Sequence, residues 1–140
     1  MRAHHLLCIQ GFQGHGYSPE YTANLAAIVA RLRADPALPV EVRQSPDDVC
    51  VPCPFLRQAG CAAKGSGTEA RVRARDEQVM RRLGLAESQT VAWADILARV
   101  ASRIGEEDLP GICGDCDWLP YGMCTDGIRR LASSARQVGD

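Results

Sequence analysis

Between Ser18 and Asp35 apolar residues return every three or four positions. Tyr21, Leu25, Ile28, Val29 and Leu32 fall on one helical stripe, with small and polar residues between them. Ser18-Pro19-Glu20 opens the segment with a capping hydroxyl, a proline at the first helical position and an acid in the first turn. Pro36 stops it near Asp35. The following "PVEVRQ" alternates and predicts a short strand from Val40 to Arg43. Helical spacing then recurs twice. From Thr68 or Glu69 to Leu83, the residues Val72, Val79, Met80 and Leu83 point inward and Gly84 ends the helix. From about Val91 to Ile104, Trp93, Ile96, Leu97, Val100 and Ile104 share a side, with Gly105 at the end. A last helix runs through Ile128 and Leu131 with Thr125 as its cap. Ahead of all these, "MRAHHLLCIQGFQGHGYSPEY" starts apolar and becomes Gly-rich, so Gly11, Gly14 and Gly16 mark a loop. The expected fold is mostly α: a single small domain over residues 1–140, about four helices, cysteine-rich loops and at most a short strand pair.

Composition narrows the function. A net charge of −1 argues against a dedicated nucleic-acid binder, whose footprint is strongly basic. No apolar run is long enough to span a membrane, and no basic segment followed by an apolar one opens the chain. The expectation is a cytoplasmic protein with neither a nucleic-acid nor a membrane partner. The outlier is cysteine, present seven times. In a reducing compartment that count points to metal or redox chemistry, and an odd number fits poorly with a closed disulfide framework.

Six of the seven fall into two matching stretches. "VCVPCPFLRQAGC" carries Cys50, Cys53 and Cys61; "ICGDCDWLPYGMC" carries Cys113, Cys116 and Cys124. Both read Cys-x2-Cys-x7-Cys, and both place an aromatic residue and then Leu after the second Cys: Phe55-Leu56 and Trp118-Leu119. Each triad is expected in a loop between two helices. Soft thiolates suit zinc or iron–sulfur clusters. Structural zinc sites usually pair two Cys-x2-Cys units, or one such unit with two His. Here each triad instead offers three ligands and wants a fourth. A [4Fe–4S] cluster accepts three cysteines with one different ligand, although the close cysteine run of ferredoxins is absent. The remaining ligating groups gather in "HHLLC", where His4 and Cys8 lie one helical turn apart. Cys8 would complete one site and His4 or His5 the other. His15, in the Gly loop, is a weaker candidate.

Taken together, "HHLLC", "GF", "GxGYS" before a helix bearing Asn24, "D-x-C-x-x-C-P", a mid-chain Trp and "IC-x-x-C-x-W-x-P-x-G-x-C" resemble a family of small bacterial and archaeal proteins, domain of unknown function 1284. The resemblance covers nearly the whole chain. It implies iron–sulfur cluster binding and assigns no reaction.

The neighbours of the two triads differ. Asp115 and Asp117 flank the second, and negative charge opposes electron addition. If both triads hold clusters, the second is expected to have the lower potential. Phe55 and Trp118 would shield the clusters from water. Arg71, Arg75 and Arg82 on one helix, and Arg129, Arg130 and Arg136 on the last, offer basic faces for an acidic partner or simply solvated surfaces. "GFQGHG" is neither a P-loop nor a dinucleotide fingerprint. Cys8 with His4 as a nucleophilic pair is a weaker reading than metal ligation. The leading expectation is one or two [4Fe–4S] clusters working in electron transfer to a redox partner protein or in redox sensing. Two alternatives stand beside it. One is a zinc-bearing interaction module in which Cys50, Cys53, Cys113 and Cys116 share an ion. The other is a cluster enzyme with an open iron.

Overall fold

A computed structural model describes residues 1–14, 16–58, 60–65, 67–113 and 122–139, with 135–139 as backbone only. The mostly α expectation holds. Among the described residues the helices are α1 (His5–Cys8), α2 (Pro19–Ala34), α3 (Thr68–Leu83), α4 (Trp93–Arg103), α5 (Leu109–Cys113) and α6 (Met123–Gly139). Single 3-10 turns follow α1 and precede α5.

The long helices start and stop where local chemistry directs. Ser18 caps α2 by accepting the Tyr21 N–H at 3.1 Å, and Pro19 fills the first helical position. Gly84 ends α3 at φ +68°, a left-handed conformation that costs a side-chain-bearing residue more than glycine. The predicted stripes face the core: Tyr21, Leu25, Val29 and Leu32 on α2 are buried with Ile28 half-buried beside them, and Val72, Val79, Met80 and Leu83 are buried on α3.

Two antiparallel strand pairs tie the helices together. β1 (Pro39–Glu41) pairs with β4 (Thr90–Ala92), with Val40 opposite Val91. β2 (Leu56–Arg57) pairs with β3 (Gly60–Cys61). The predicted helix from Val91 therefore begins two residues late, at Trp93. Thr90 and Val91 are β-branched, and a partner strand next to them outweighs the helical spacing downstream. Gly105 does not close α4 in a left-handed turn; Ile104 ends it extended, and the Gly105 N–H donates to Asp108 Oδ2 at 2.8 Å. Nor does Thr125 cap the last helix. α6 starts at Met123, and the Asp126 N–H already reaches the Gly122 carbonyl at 2.9 Å, which leaves Thr125 inside the first turn.

The first residues run alongside the chain that leaves β1. The Ala3 N–H donates to Arg43 O at 3.0 Å and the Arg43 N–H to Met1 O at 2.8 Å. This anchor feeds α1 into the core, where Leu6 and Leu7 are buried with Val42, Val79, Ile96, Leu109 and Ile128. No helix among the described residues is long and apolar enough to cross a membrane.

Candidate metal centre

The first triad is set by one aspartate. In the turn Ser45-Pro46-Asp47-Asp48, Asp47 Oδ1 accepts the N–H groups of Val49 at 3.0 Å and Cys50 at 3.3 Å. An aspartate bonding its own downstream backbone starts a turn without help from the rest of the fold. Three further turns follow: Cys50 N–H to Asp47 O, Cys53 N–H to Cys50 O and Leu56 N–H to Cys53 O, at 2.8–3.2 Å. Cys-x2-Cys thus puts two thiols on consecutive tight turns. Cys61 comes back on β3 opposite Leu56, its N–H donating to Glu69 Oε1 at 2.9 Å.

Cys8 arrives from a different direction. A single cavity of about 100 Å³ has Cys8, Cys50, Cys53 and Cys61 in its wall, together with His4 and His5. Four cysteines from two separate stretches of chain therefore meet at one small space. Tyr17 and Tyr21 line it as well. The six cysteines among the described residues are unbridged.

Behind the cavity wall lies a buried ionic frame. Arg2 is 1% exposed and pairs with Glu69 and with Asp76, which is fully buried. Asp76 Oδ1 accepts both the His4 backbone N–H at 2.9 Å and His4 Nδ1 at 2.7 Å. Asp47 Oδ2 accepts the Arg2 backbone N–H at 2.7 Å and His5 Nδ1 at 2.9 Å. A carboxylate can only accept, so Nδ1 of each ring carries a hydrogen. Carboxylate-backed histidines of this kind are what metal sites use to fix ring orientation.

Burial governs the electrostatics. It pushes the Cys50 thiol up to about 12, with the charge of Asp47 adding to it, and raises Cys53 as well. Thiols so placed keep their protons until a metal ion supplies the opposing charge. Burial, and then the neighbouring His5, lowers His4 to about 4, so its imidazole is neutral at pH 7. Burial would raise Asp47, but His5 and the Arg2 N–H outweigh it and hold that carboxyl well below the usual range. Tyr21 is raised by burial and by Cys8 beside it.

The donor set fits a thiophilic centre. It offers four soft sulfurs, and one further feature points the same way. Arg2 lines the cavity, and its Nε is the single buried side-chain N–H without a partner among the described residues. An orphaned donor beside thiols is a group that an inorganic sulfide or a thiolate would satisfy.

Several sequence expectations are redirected. Cys8, His4 and His5 all stand at the first triad, so they are not divided between two sites. In the shared-zinc grouping Cys113 would sit beside Cys50 and Cys53; the cavity wall has Cys8 and Cys61 instead. Cys113 and Cys124 do not lie in a loop: Cys113 ends α5, Cys124 is in α6, and both are buried. Cys116, Asp115, Asp117, Trp118 and His15 lie outside the described residues. Phe55 is half-buried and packs edge-on against Tyr17, with ring centroids 5.1 Å apart, so it backs a wall residue and is not itself in the wall. The three arginines of α3 divide: Arg71 and Arg75 line the cavity, and Arg82 pairs with Asp108 at 2.7 Å.

Asp47, Asp76, Glu69 and Arg2 are the site residues that sequence reasoning missed. Asp76 did leave a signal, because it sits on the inward stripe of α3 between Val72 and Val79, and a charge there demands a buried partner. Asp47 lies in Ser45-Pro46-Asp47-Asp48, a composition that marks a turn and nothing more. Nothing in the sequence around Arg2 marks it.

Among known families, the one described as protein of unknown function (DUF1284) matches residues 16–122. No curated protein and no solved structure matches the chain.

Proposed function

We propose that this chain, which belongs to the DUF1284 family, binds a [4Fe–4S] cluster through Cys8, Cys50, Cys53 and Cys61 and acts as a one-electron carrier or redox sensor for a partner protein. The observation that carries this reading is the meeting of those four cysteines at one cavity. A cluster there would supply reversible one-electron exchange. The chain's own residues would do the rest. The Asp47 turn orients Cys50 and Cys53, the hairpin returns Cys61, and the Arg2–Asp76 pair holds α1 so that Cys8 reaches the same wall. Tyr17 and Tyr21 narrow water access. With a fourth thiol at hand, this cavity gives no reason to invoke an open iron. The second triad, Cys113, Cys116 and Cys124, is assigned to a second cluster on its matching spacing.

Zinc is the second reading, and one observation favours it. Ligand atoms of His5, Asp47 and Cys50 lie within 4.8 Å of one another, a nitrogen, oxygen and sulfur set that zinc accepts. Against it, both oxygens of Asp47 already accept two N–H groups each. Anaerobic purification followed by iron, acid-labile sulfide and zinc analysis decides between them. Brown protein with sulfide equal to iron, both falling by about half in Cys8→Ser and Cys61→Ser, is the expected result. Colourless protein carrying zinc and no sulfide overturns the cluster.

A further inference from the structure

The turn that carries Cys50 and Cys53 also carries Val51, which is 70% exposed and is the one large apolar side chain so exposed among the described residues. It stands between two cysteines of the cavity. The charged side chains in the wall itself are all of one sign: Arg2, Lys64, Arg71 and Arg75 line it, while Asp47, Glu69 and Asp76 stand behind it, engaged with His5 and Arg2. Arg2 is buried and paired, so it adds little outward field. Lys64 and Arg71 are exposed. Arg57 is exposed too, and its guanidinium folds back onto Pro54 O at 2.8 Å, on the same turn. A chain of net charge −1 has thus gathered cations, with one apolar residue among them, at the thiol cavity.

Protein interfaces are built this way, with an apolar contact at the centre and charges at the rim that steer the approach. The half-buried thiols also matter, since a centre held there lies close to the surface a partner would touch. Resting on the cluster reading above, we infer that the face formed by Val51, Arg57, Lys64 and Arg71 docks an acidic electron-carrier protein. In the docked pair one electron passes from the reduced carrier to the oxidised centre. The carrier is oxidised by one electron, and no bond is made or broken.

Stopped-flow reduction of the iron-loaded chain by a reduced, acidic plant-type ferredoxin tests this. The second-order rate constant should fall by about tenfold or more between low and high salt, as steered encounters do. Lys64→Glu and Arg71→Glu together should lower the low-salt rate by about tenfold, and Val51→Asp should lower it at every salt concentration. Iron and sulfide should stay as in the parent, whereas the midpoint potential should fall in the charge-reversed variant, so its rate is compared with the parent at matched driving force. A rate indifferent to salt and to charge reversal overturns the docking face. If the charge reversals slow reduction by dithionite as much as by ferredoxin, the cations serve small anions and the inference fails. A chain holding no iron or sulfide overturns the cluster reading itself, an outcome separate from a loaded chain that ignores salt.

Discussion

His4 Nδ1 donates at 2.7 Å to Oδ1 of Asp76, a fully buried carboxylate 72 positions further along the chain. The same carboxylate accepts the His4 backbone N–H and pairs with Arg2, so one side chain fastens α1 to α3. Removing it would leave Arg2 and His4 buried with partners missing, which is far costlier than losing a surface ion pair. Asp76→Ala should lower the unfolding free energy by about 3–5 kcal/mol in urea titrations. Glu77→Ala, one residue on and exposed, should change it by less than about 0.5 kcal/mol.

The burial of His4, which outweighs its contact with Asp76, gives the metal-free protein an acid-sensitive stability. His4 is lowered to about 4 in the folded state by burial and by His5, against 6.5 as its ordinary value. Above pH 6.5 the ring is neutral in both folded and unfolded chains and adds no pH slope. Between 6.5 and 4 the unfolded chain takes up a proton that the folded chain refuses, so stability falls as pH falls. Asp47, held below its usual range, adds loss at still lower pH as its carboxylate is forced to protonate. Urea unfolding at pH 7.5, 5.5 and 4.5 should show a decline of about 2–3 kcal/mol, each pKa unit being worth about 1.4 kcal/mol. His4→Gln should flatten that limb.

How far the sequence shows this arrangement differs from part to part. α2 and α3 are legible because cap, stripe and stop agree: Ser18 with Pro36 for one, Val72 to Leu83 with Gly84 for the other. The first cysteine triad is legible because spacing alone brings Cys50 and Cys53 onto neighbouring turns. β4 is not, since Thr90 and Val91 become a strand only when Val40 lies next to them. The convergence of Cys8, His4 and His5 on one triad is not legible either. It depends on Asp47 and Asp76 reaching the N-terminal residues across the fold, and local periodicity carries no record of such a contact.

Ser18 offers a test of the helix that brings Tyr21 to the cavity. Its hydroxyl satisfies a first-turn N–H that would otherwise lack a partner. Ser18→Ala should cost about 1 kcal/mol, and Ser18→Asp, which keeps a capping oxygen, should recover most of it in thermal unfolding. An unchanged midpoint in Ser18→Ala would mean that water replaces the cap.

Gly11 tests how the proposed N-terminal ligands meet the last helix. It follows Cys8 by one 3-10 turn, and a Cβ placed on it would lie 2.7 Å from Cys124 Cα and 2.7 Å from Met123 O. Both atoms belong to backbone, which cannot swing aside as a flexible side chain can. Gly11 therefore lets the turn after Cys8 press directly on the helix that carries Cys124. Gly11→Ala should destabilise by about 1–3 kcal/mol, the usual cost of overpacking a close contact. Because α6 must move away from the turn, the variant should also lose part of the metal that the proposed sites at Cys8 and Cys124 would hold. Gly111→Ala, where an added Cβ meets nothing within 4 Å, should keep its full metal content. Metal content and urea midpoint measured on the two variants side by side check the claim, and equal behaviour of the pair would refute it.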